Sequence, residues 1–432
     1  MIQRSLWGVG PESENGSGRE ENSASREPSV VYQEINADSV SKADIMVGIP
    51  SYNESTTISF PTQQADFGLK QFFGDCTSVI INCDNQSNDG TREAFLNTPT
   101  DVPKIYLSTP PGIRGKGHNL KNLFQRACEL DAKACIVVDA DLKSITPRWI
   151  KNLGEPLFKD FGFVAPLYIR HKYDGTITNT IAYPLSRALY GRRVRQPIGG
   201  DFGFSGEMAR IFASHEGGDD AIAQFGIDIW MTTLAMSYNM PICQSYMGRP
   251  KVHKAKDPGA DLDPMFRQVV GTIFSMMAPL QKFWRGKIWS KPTAIFGFGL
   301  GELEVPPPVE VNSVRLYQSF MAGFDHFEGL WKRILMADNF SKLLEVRERP
   351  MEVFEFPIQL WAMILYDYAL FYHQDVEGRE ELLDSLVPLY HGKVFCFVMR
   401  TEGMSLQQPE EYIEDQCMAF EETKSYLEER WM

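Results

Sequence analysis

Ala134-Cys135-Ile136-Val137-Val138-Asp139-Ala140-Asp141 decides how this chain folds. The run reads as a short buried strand, apolar on both faces, that ends in two carboxylates one residue apart. Strands without polar alternation belong to parallel sheets covered by helices on both sides. Open α/β sheets bind ligands at the carboxyl ends of their strands, so the Asp-x-Asp pair falls where a ligand sits. Two acidic oxygens there suit a hard divalent cation that bridges the phosphates of a nucleotide. A lone Asp-x-Asp is common, and turn-forming Asp residues closing a strand give the same tripeptide.

Upstream, Ile45-Met46-Val47-Gly48-Ile49 is another buried strand, and Pro50-Ser51-Tyr52-Asn53-Glu54 ends it at the same edge. Val79-Ile80-Ile81-Asn82-Cys83-Asp84 is a strand ending in an acid, followed by the turn Ser87-Asn88-Asp89-Gly90-Thr91. Lys104-Ile105-Tyr106-Leu107 is a further strand, before the loop Gly112-Ile113-Arg114-Gly115-Lys116-Gly117-His118-Asn119. The apolar spacing of Leu120, Leu123, Phe124 and Ala127 predicts a helix from about Leu120 to Leu130. Strands alternating with helices imply an α/β fold with a parallel, doubly wound sheet. In the Gly-Lys-Gly loop, glycines let backbone approach an anion and Lys116 supplies a point charge for phosphate. An ordinary exposed turn with a solvated lysine fits that loop equally well. The loop lacks the Walker spacing, and no G-x-G-x-x-G follows the first strand.

The chain has 432 residues, 43% hydrophobic, with a net charge of −13, which argues against a general nucleic-acid binder. Seven cysteines without a C-x-x-C pair imply reduced thiols and a cytoplasmic protein. Residues 1–41 are rich in Ser, Glu, Gly and Asn and read as a flexible acidic tail without a signal peptide. The longest apolar helix candidate, Pro357 to Tyr372, is too short for a bilayer and carries Asp367, so no membrane contact is expected.

The C-terminal half reads as helical. Pro264 opens a helix of about Met265 to Lys282, kinked at Pro279. Pro306-Pro307-Pro308 stiffens a connector from Glu304 to Val311. Asn312 or Ser313 caps a helix with the stripe Tyr317, Phe320, Phe324, Phe327, Trp331 and Ile334, and Pro357 opens the helix of Trp361 and Tyr368. These stripes are core or a subunit contact, and a homo-oligomer is expected.

Taken in order, Pro50 to Glu54, Asp84 with Ser87 to Thr91, Gly115-Lys116-Gly117 and Asp139-Ala140-Asp141 resemble the nucleotide-sugar half of GT-A glycosyltransferases. Arg170 eight residues before Thr178, Gln196-Pro197-Ile198-Gly199-Gly200-Asp201, Phe225-Gly226-Ile227-Asp228 and Lys251-Val252-His253 narrow the likeness. They are similar to the retaining mannosylglycerate, glucosyl-3-phosphoglycerate and glucosylglycerate synthases. Phe354-Glu355-Phe356, Val394 to Phe397 and Glu410-Glu411-Tyr412 extend the resemblance into the C-terminal part, where the mannosylglycerate type fits better.

The resemblance implies a GT-A catalytic domain over 42–262 and a helical C-terminal domain over 263–432. It implies metal-dependent transfer of mannose or glucose from GDP-mannose or UDP-glucose to glycerate or a phosphoglycerate-like acceptor. Asp141 and His253 would hold Mg2+ or Mn2+. Pro50, Tyr52, Asn53, Glu54, Asp84, Lys116, Asp139 and Ala140 would bind the donor, with Asp139 facing the ribose. Arg170, a bidentate fork for carboxylate, would bind the acceptor with Thr178 and the backbone of Ile198, Gly199 and Gly200. Asp228 would stand near the sugar and the acceptor hydroxyl. Asp201 departs from the family's Gly-Gly-Glu by one methylene, and its expected contact is an acceptor or sugar hydroxyl. Arg192, Arg193 and Arg195 would add cation for a phosphate or merely form a solvated face. A non-catalytic nucleotide-sugar binder and a sugar nucleotidyltransferase are the alternatives. The glycine-rich loop of the latter is missing after the first strand, and a processive synthase would carry membrane helices and a Q-x-x-R-W sequence.

Overall fold

A computed structural model describes residues 33–215, 220–252, 262–297, 304–405 and 407–431. Its strands are β1 Gln33–Ile35, β2 Ile45–Ser51, β3 Ser78–Asp84, β4 Lys104–Ser108, β5 Ala134–Val137, β6 Phe163–Ile169, β7 Phe202–Ser205, β8 Ile242–Pro250 and β9 Ala294–Phe296. They form one sheet in the order β1-β4-β3-β2-β5-β7-β6-β8-β9. The expected strands are present, and β4, β3, β2 and β5 run parallel. The sheet as a whole is mixed, because β1 and β7 run antiparallel to their neighbours. Residues 33–35, expected in the tail, form the edge strand β1; residues 1–32 lie outside the described residues.

Alternate residues of β2 face two different cores. Ile45, Val47 and Ile49 pack on one side, with Trp149 and Ile150 of the Pro147–Gly154 helix. Met46 packs on the other with Leu120, Leu123 and Phe124 of the Lys116–Glu129 helix. This two-sided burial is why these strands read as unbroken apolar runs. The Lys116–Glu129 helix starts four residues before its apolar stripe, because Lys116 in its first turn faces a cleft rather than the core.

From Asp263 onward the described chain is mainly helical. Pro279 separates helices Asp263–Met277 and Gln281–Trp284, and Asn312 caps Ser313–Ile334 by accepting from the Arg315 amide at 3.0 Å. Phe320, Phe324 and Trp331 turn into the core that also covers one sheet face, so the stripe behind the expected homo-oligomer is interior. The longest apolar helix is Arg379–Thr401, not the one at Pro357; it has the length and composition of a membrane span but is buried along nearly its whole length. The seven cysteines are all unpaired.

Lys393 of that helix is fully buried, donating to the Tyr412 hydroxyl at 3.0 Å and the Phe356 carbonyl at 3.3 Å. Burial lowers its pKa to about 8. The charged form is the penalised one. Below pH 8 folded and unfolded chains both carry it and the full cost applies; the cost fades up to about pH 10.5, because the folded side chain loses its proton first. Lys393→Met has no proton to lose. Wild-type stability measured against this variant is expected to rise by about 3 kcal/mol across that window. A difference that stays flat in denaturant titrations contradicts the assignment.

Candidate functional site

The carboxyl ends of β2, β5, β6 and β8 open onto a cleft of ≈ 580 Å³. Its lining includes Pro50, Tyr52, Glu54, Lys116, Asp139, Ala140, Asp141, Arg170, Thr178, Ile198, Gly199, Gly200 and Asp228. Most of the residues singled out in the sequence therefore converge on one cavity.

Asp139 is the hub. β5 ends at Val137, which is paired with Phe202 at the start of β7. That register carries Asp201 alongside Asp139, whose amide donates to Asp201 Oδ1 at 2.9 Å. Asp139 Oδ1 meets Lys116 Nζ at 3.0 Å, and Oδ2 meets Lys251 Nζ at 3.0 Å. Burial opposes the Asp139 charge, but the two lysines outweigh it and hold the carboxyl well below the usual range. Lys251 is buried and Lys116 is largely covered, and their carboxylates raise both ammonium pKa values in spite of the lost solvent. All three groups are charged at neutral pH.

Asp228 lies in the first turn of the Ile227–Ser237 helix, where the helix dipole favours an anion. Its Oδ1 is 3.1 Å from Lys116 Nζ, and its Oδ2 accepts the Gly200 amide at 2.9 Å. Gly200 has φ +81°, and a Cβ there would sit 2.1 Å from Asp139 Oδ2 and 2.7 Å from Lys251 Nζ. Gly200→Ala is thus expected to push Asp139 off its lysines, with a loss of about 2 kcal/mol or more in stability. A melting temperature equal to the wild type's would show that this crowding is absent.

Several expectations need correction. Asp201 is fully buried and does not line the cleft. Its oxygens take the Asp139 amide, Lys251 at 2.9 Å and the Tyr168 hydroxyl, all beneath the cleft surface and away from a sugar or acceptor hydroxyl. Burial raises its pKa, against the pull of Lys251. Asp84 and Asn53 also lie off the lining. Asp84 accepts from the hydroxyls of Ser51 (2.8 Å), Ser87 (2.6 Å) and Tyr106 (2.9 Å) and from the Ser87 amide at 2.8 Å, so it ties the β2 and β3 ends together. The Gly200 amide is committed to Asp228 rather than offered to an acceptor. Arg195 is held bidentate by Glu410 at 2.7 and 2.8 Å. His253 lies outside the described residues, and among the described residues no group of three or more His, Cys, Asp or Glu could hold a metal.

Arg170 and Thr178 do come together. A Cβ on Gly175 would lie 3.3 Å from Arg170 Nη1 and 3.7 Å from Thr178 Oγ1. Asp174 pairs with Arg170 at 3.8 Å, and the guanidinium lies over the Tyr168 ring at 5.2 Å.

Lys251 is the main residue that sequence reasoning missed, since its carboxylate partners are 112 and 50 positions away. Its place in Lys251-Val252-His253, directly after a strand, was its signal. Arg114, over the Tyr52 ring at 5.2 Å, is a second. Among the described residues the lining carries five carboxylates (Glu54, Asp139, Asp141, Asp174, Asp228) against four cations (Arg114, Lys116, Arg170, Lys251). A diphosphate entering such a cleft meets no surplus of positive charge among these side chains, so a divalent cation fits the donor set.

No protein-family profile and no curated protein sequence matches the chain. Among solved structures it is similar to glucosyl-3-phosphoglycerate synthase from Mycobacterium tuberculosis in complex with Mn2+, UDP and glucosyl-3-phosphoglycerate. That likeness has 20% identity and a TM-score of 0.41, over 55% of this chain and 80% of that one. The same enzyme in complex with Mn2+, UDP-glucose and glycerol 3-phosphate gives 20%, 0.41, 55% and 80%. Its complex with Mg2+ and UDP gives 19% identity and a TM-score of 0.41 over 55% of this chain and 79% of that one, and at such scores these are similarities alone.

Proposed function

We propose that this chain is a retaining hexosyltransferase that moves glucose or mannose from a nucleotide-diphosphate sugar to glycerate or a phosphoglycerate-like acceptor. The observation that carries the reading is Asp139 held between Lys116 and Lys251 at the floor of the cleft, with Asp141 on its lining two residues further along. Tyr52 and Arg114 offer a flat face for the base. Arg170 and Thr178, on the same lining, offer a fork and a hydroxyl for the acceptor carboxylate.

Mg2+ or Mn2+, held by Asp141 with His253, would neutralise charge on the diphosphate as it leaves. Lys116 supplies a second positive charge from a helix N-terminus and is already desolvated, which strengthens its field at the leaving oxygen. Asp228, fixed by the Gly200 amide and Lys116, faces the cleft where positive charge grows on the anomeric carbon. It stabilises that charge and orients the acceptor hydroxyl.

The test is a panel of UDP-glucose and GDP-mannose against glycerate and 3-phosphoglycerate, with Mg2+ or Mn2+. At least one combination is expected to release nucleoside diphosphate and give a product of unchanged anomeric configuration. Binding without release would make the protein a nucleotide-sugar binder. Silence across the panel would overturn the acceptor class.

A further inference from the structure

The acceptor wall is built on an irregular helical turn. Thr178–Ala182 is a π-helical segment, in which the Tyr183 amide donates to the Thr178 carbonyl five residues back. Such turns are uncommon and leave backbone groups without their usual partners. Here Pro184 makes the shortage specific. It is the five-residue partner of Asn179 and the four-residue partner of Thr180, and it has no N–H to give either carbonyl.

Side chains of the C-terminal helices make good the loss. Trp361 Nε1 of Ile358–Gln374 donates to the Thr180 carbonyl at 2.8 Å. Gln416 Nε2 of Pro409–Glu422 donates to the Asn179 carbonyl at 3.1 Å. The Tyr390 hydroxyl of Arg379–Thr401 is 2.6 Å from Thr176 Oγ1. Arg195, gripped by Glu410, donates to Asn179 Oδ1 at 2.9 Å. Trp361 and Gln416 are fully buried and Tyr390 is too, so the bonds these three make cannot be replaced by bulk water. A small cavity of ≈ 50 Å³, bordered by Arg195 and Glu410, shares Arg170, Asp174, Gly175 and Thr178 with the main cleft.

We infer that Trp361, Tyr390 and Gln416 are positioning residues for acceptor binding: three C-terminal helices fix the Thr176–Thr180 turn, two by its Asn179 and Thr180 carbonyls and one by the Thr176 hydroxyl, and through it Thr178 and the Arg170 fork. The inference rests on the acceptor reading of Arg170 and Thr178 given above. It assigns the C-terminal helices a part in acceptor selection, separate from donor binding.

The test uses the full chain with Tyr390→Phe and Gln416→Met combined, which remove a hydroxyl and an amide but keep most of the volume. The acceptor KM is expected to rise about tenfold, while the donor KM stays within twofold of wild type. Hydrogen exchange should quicken at Thr178–Ala182 and not in β2 or β3. A general loss of stability would not split the two KM values in this way. An unchanged acceptor KM, or unchanged exchange at Thr178–Ala182, overturns the inference. Calorimetry with 3-phosphoglycerate separates it from the transfer reading. If the wild type binds this anion without turnover, transfer fails, and about tenfold weaker binding by the variant still supports the positioning role. If the wild type does not bind it, the inference falls.

Discussion

Lys251→Met is expected to cost about 3–5 kcal/mol of folding stability, far more than a surface lysine would. The reason is what it leaves behind. Lys251 Nζ touches Asp139, Asp201 and the Gly199 carbonyl within 3.0 Å, and its side chain is 4% exposed. Removing it strands the fully buried Asp201 with only hydrogen bonds to stabilise a charge. Breaking one partner of a buried pair is costly for that reason, even where the intact pair adds little net stability. Asp201→Asn in the Lys251→Met background removes the stranded charge, and much of the loss should return. Denaturant titration of the two variants decides it: a Lys251→Met change under about 1 kcal/mol would mean the ammonium is solvated rather than buried.

Asp228→Asn is expected to lower turnover about 10²–10³-fold, the range seen when one fixed electrostatic contact to a transition state is lost. The substitution preserves shape, leaves an oxygen for the Gly200 amide and leaves Lys116 paired with Asp139, so any change in stability or donor KM should be small beside the loss in kcat. The effect falls on kcat because the charge on Asp228 matters only as the sugar becomes cationic. Steady-state kinetics within about threefold of wild type would remove Asp228 from the chemistry and leave it as a brace for Lys116.

These two variants mark the line between what the sequence revealed and what it hid. Four strands and the ligand edge were legible because burial on both faces writes itself as unbroken apolar runs, as in β2, β3 and β5. Asp139, Asp141 and Lys116 were legible because each stands at a strand end or a helix start. The inward placement of Asp201 was not. An acid beside two glycines reads as ligand-facing, and only the pairing of Val137 with Phe202 turns it inward onto Asp139. Lys251 and the propping of the Thr178 turn by Trp361 and Gln416 were hidden for the same reason: every partner is distant in the chain. The aromatic stripe at Phe320, Phe324 and Trp331 shows the converse, since periodicity reveals a buried face but not whether sheet, helix or second subunit buries it.

Among the described residues the cleft carries no excess of positive charge, so a diphosphate is expected to bind only together with a divalent ion at Asp141. Calorimetric titration of UDP and of GDP into the wild type and Asp141→Ala, with and without Mn2+, measures this directly. Mn2+ is expected to tighten binding of at least one nucleotide by about tenfold or more in the wild type and to have no such effect in Asp141→Ala. Equal affinity with and without the ion, or the same Mn2+ response in both proteins, would contradict it.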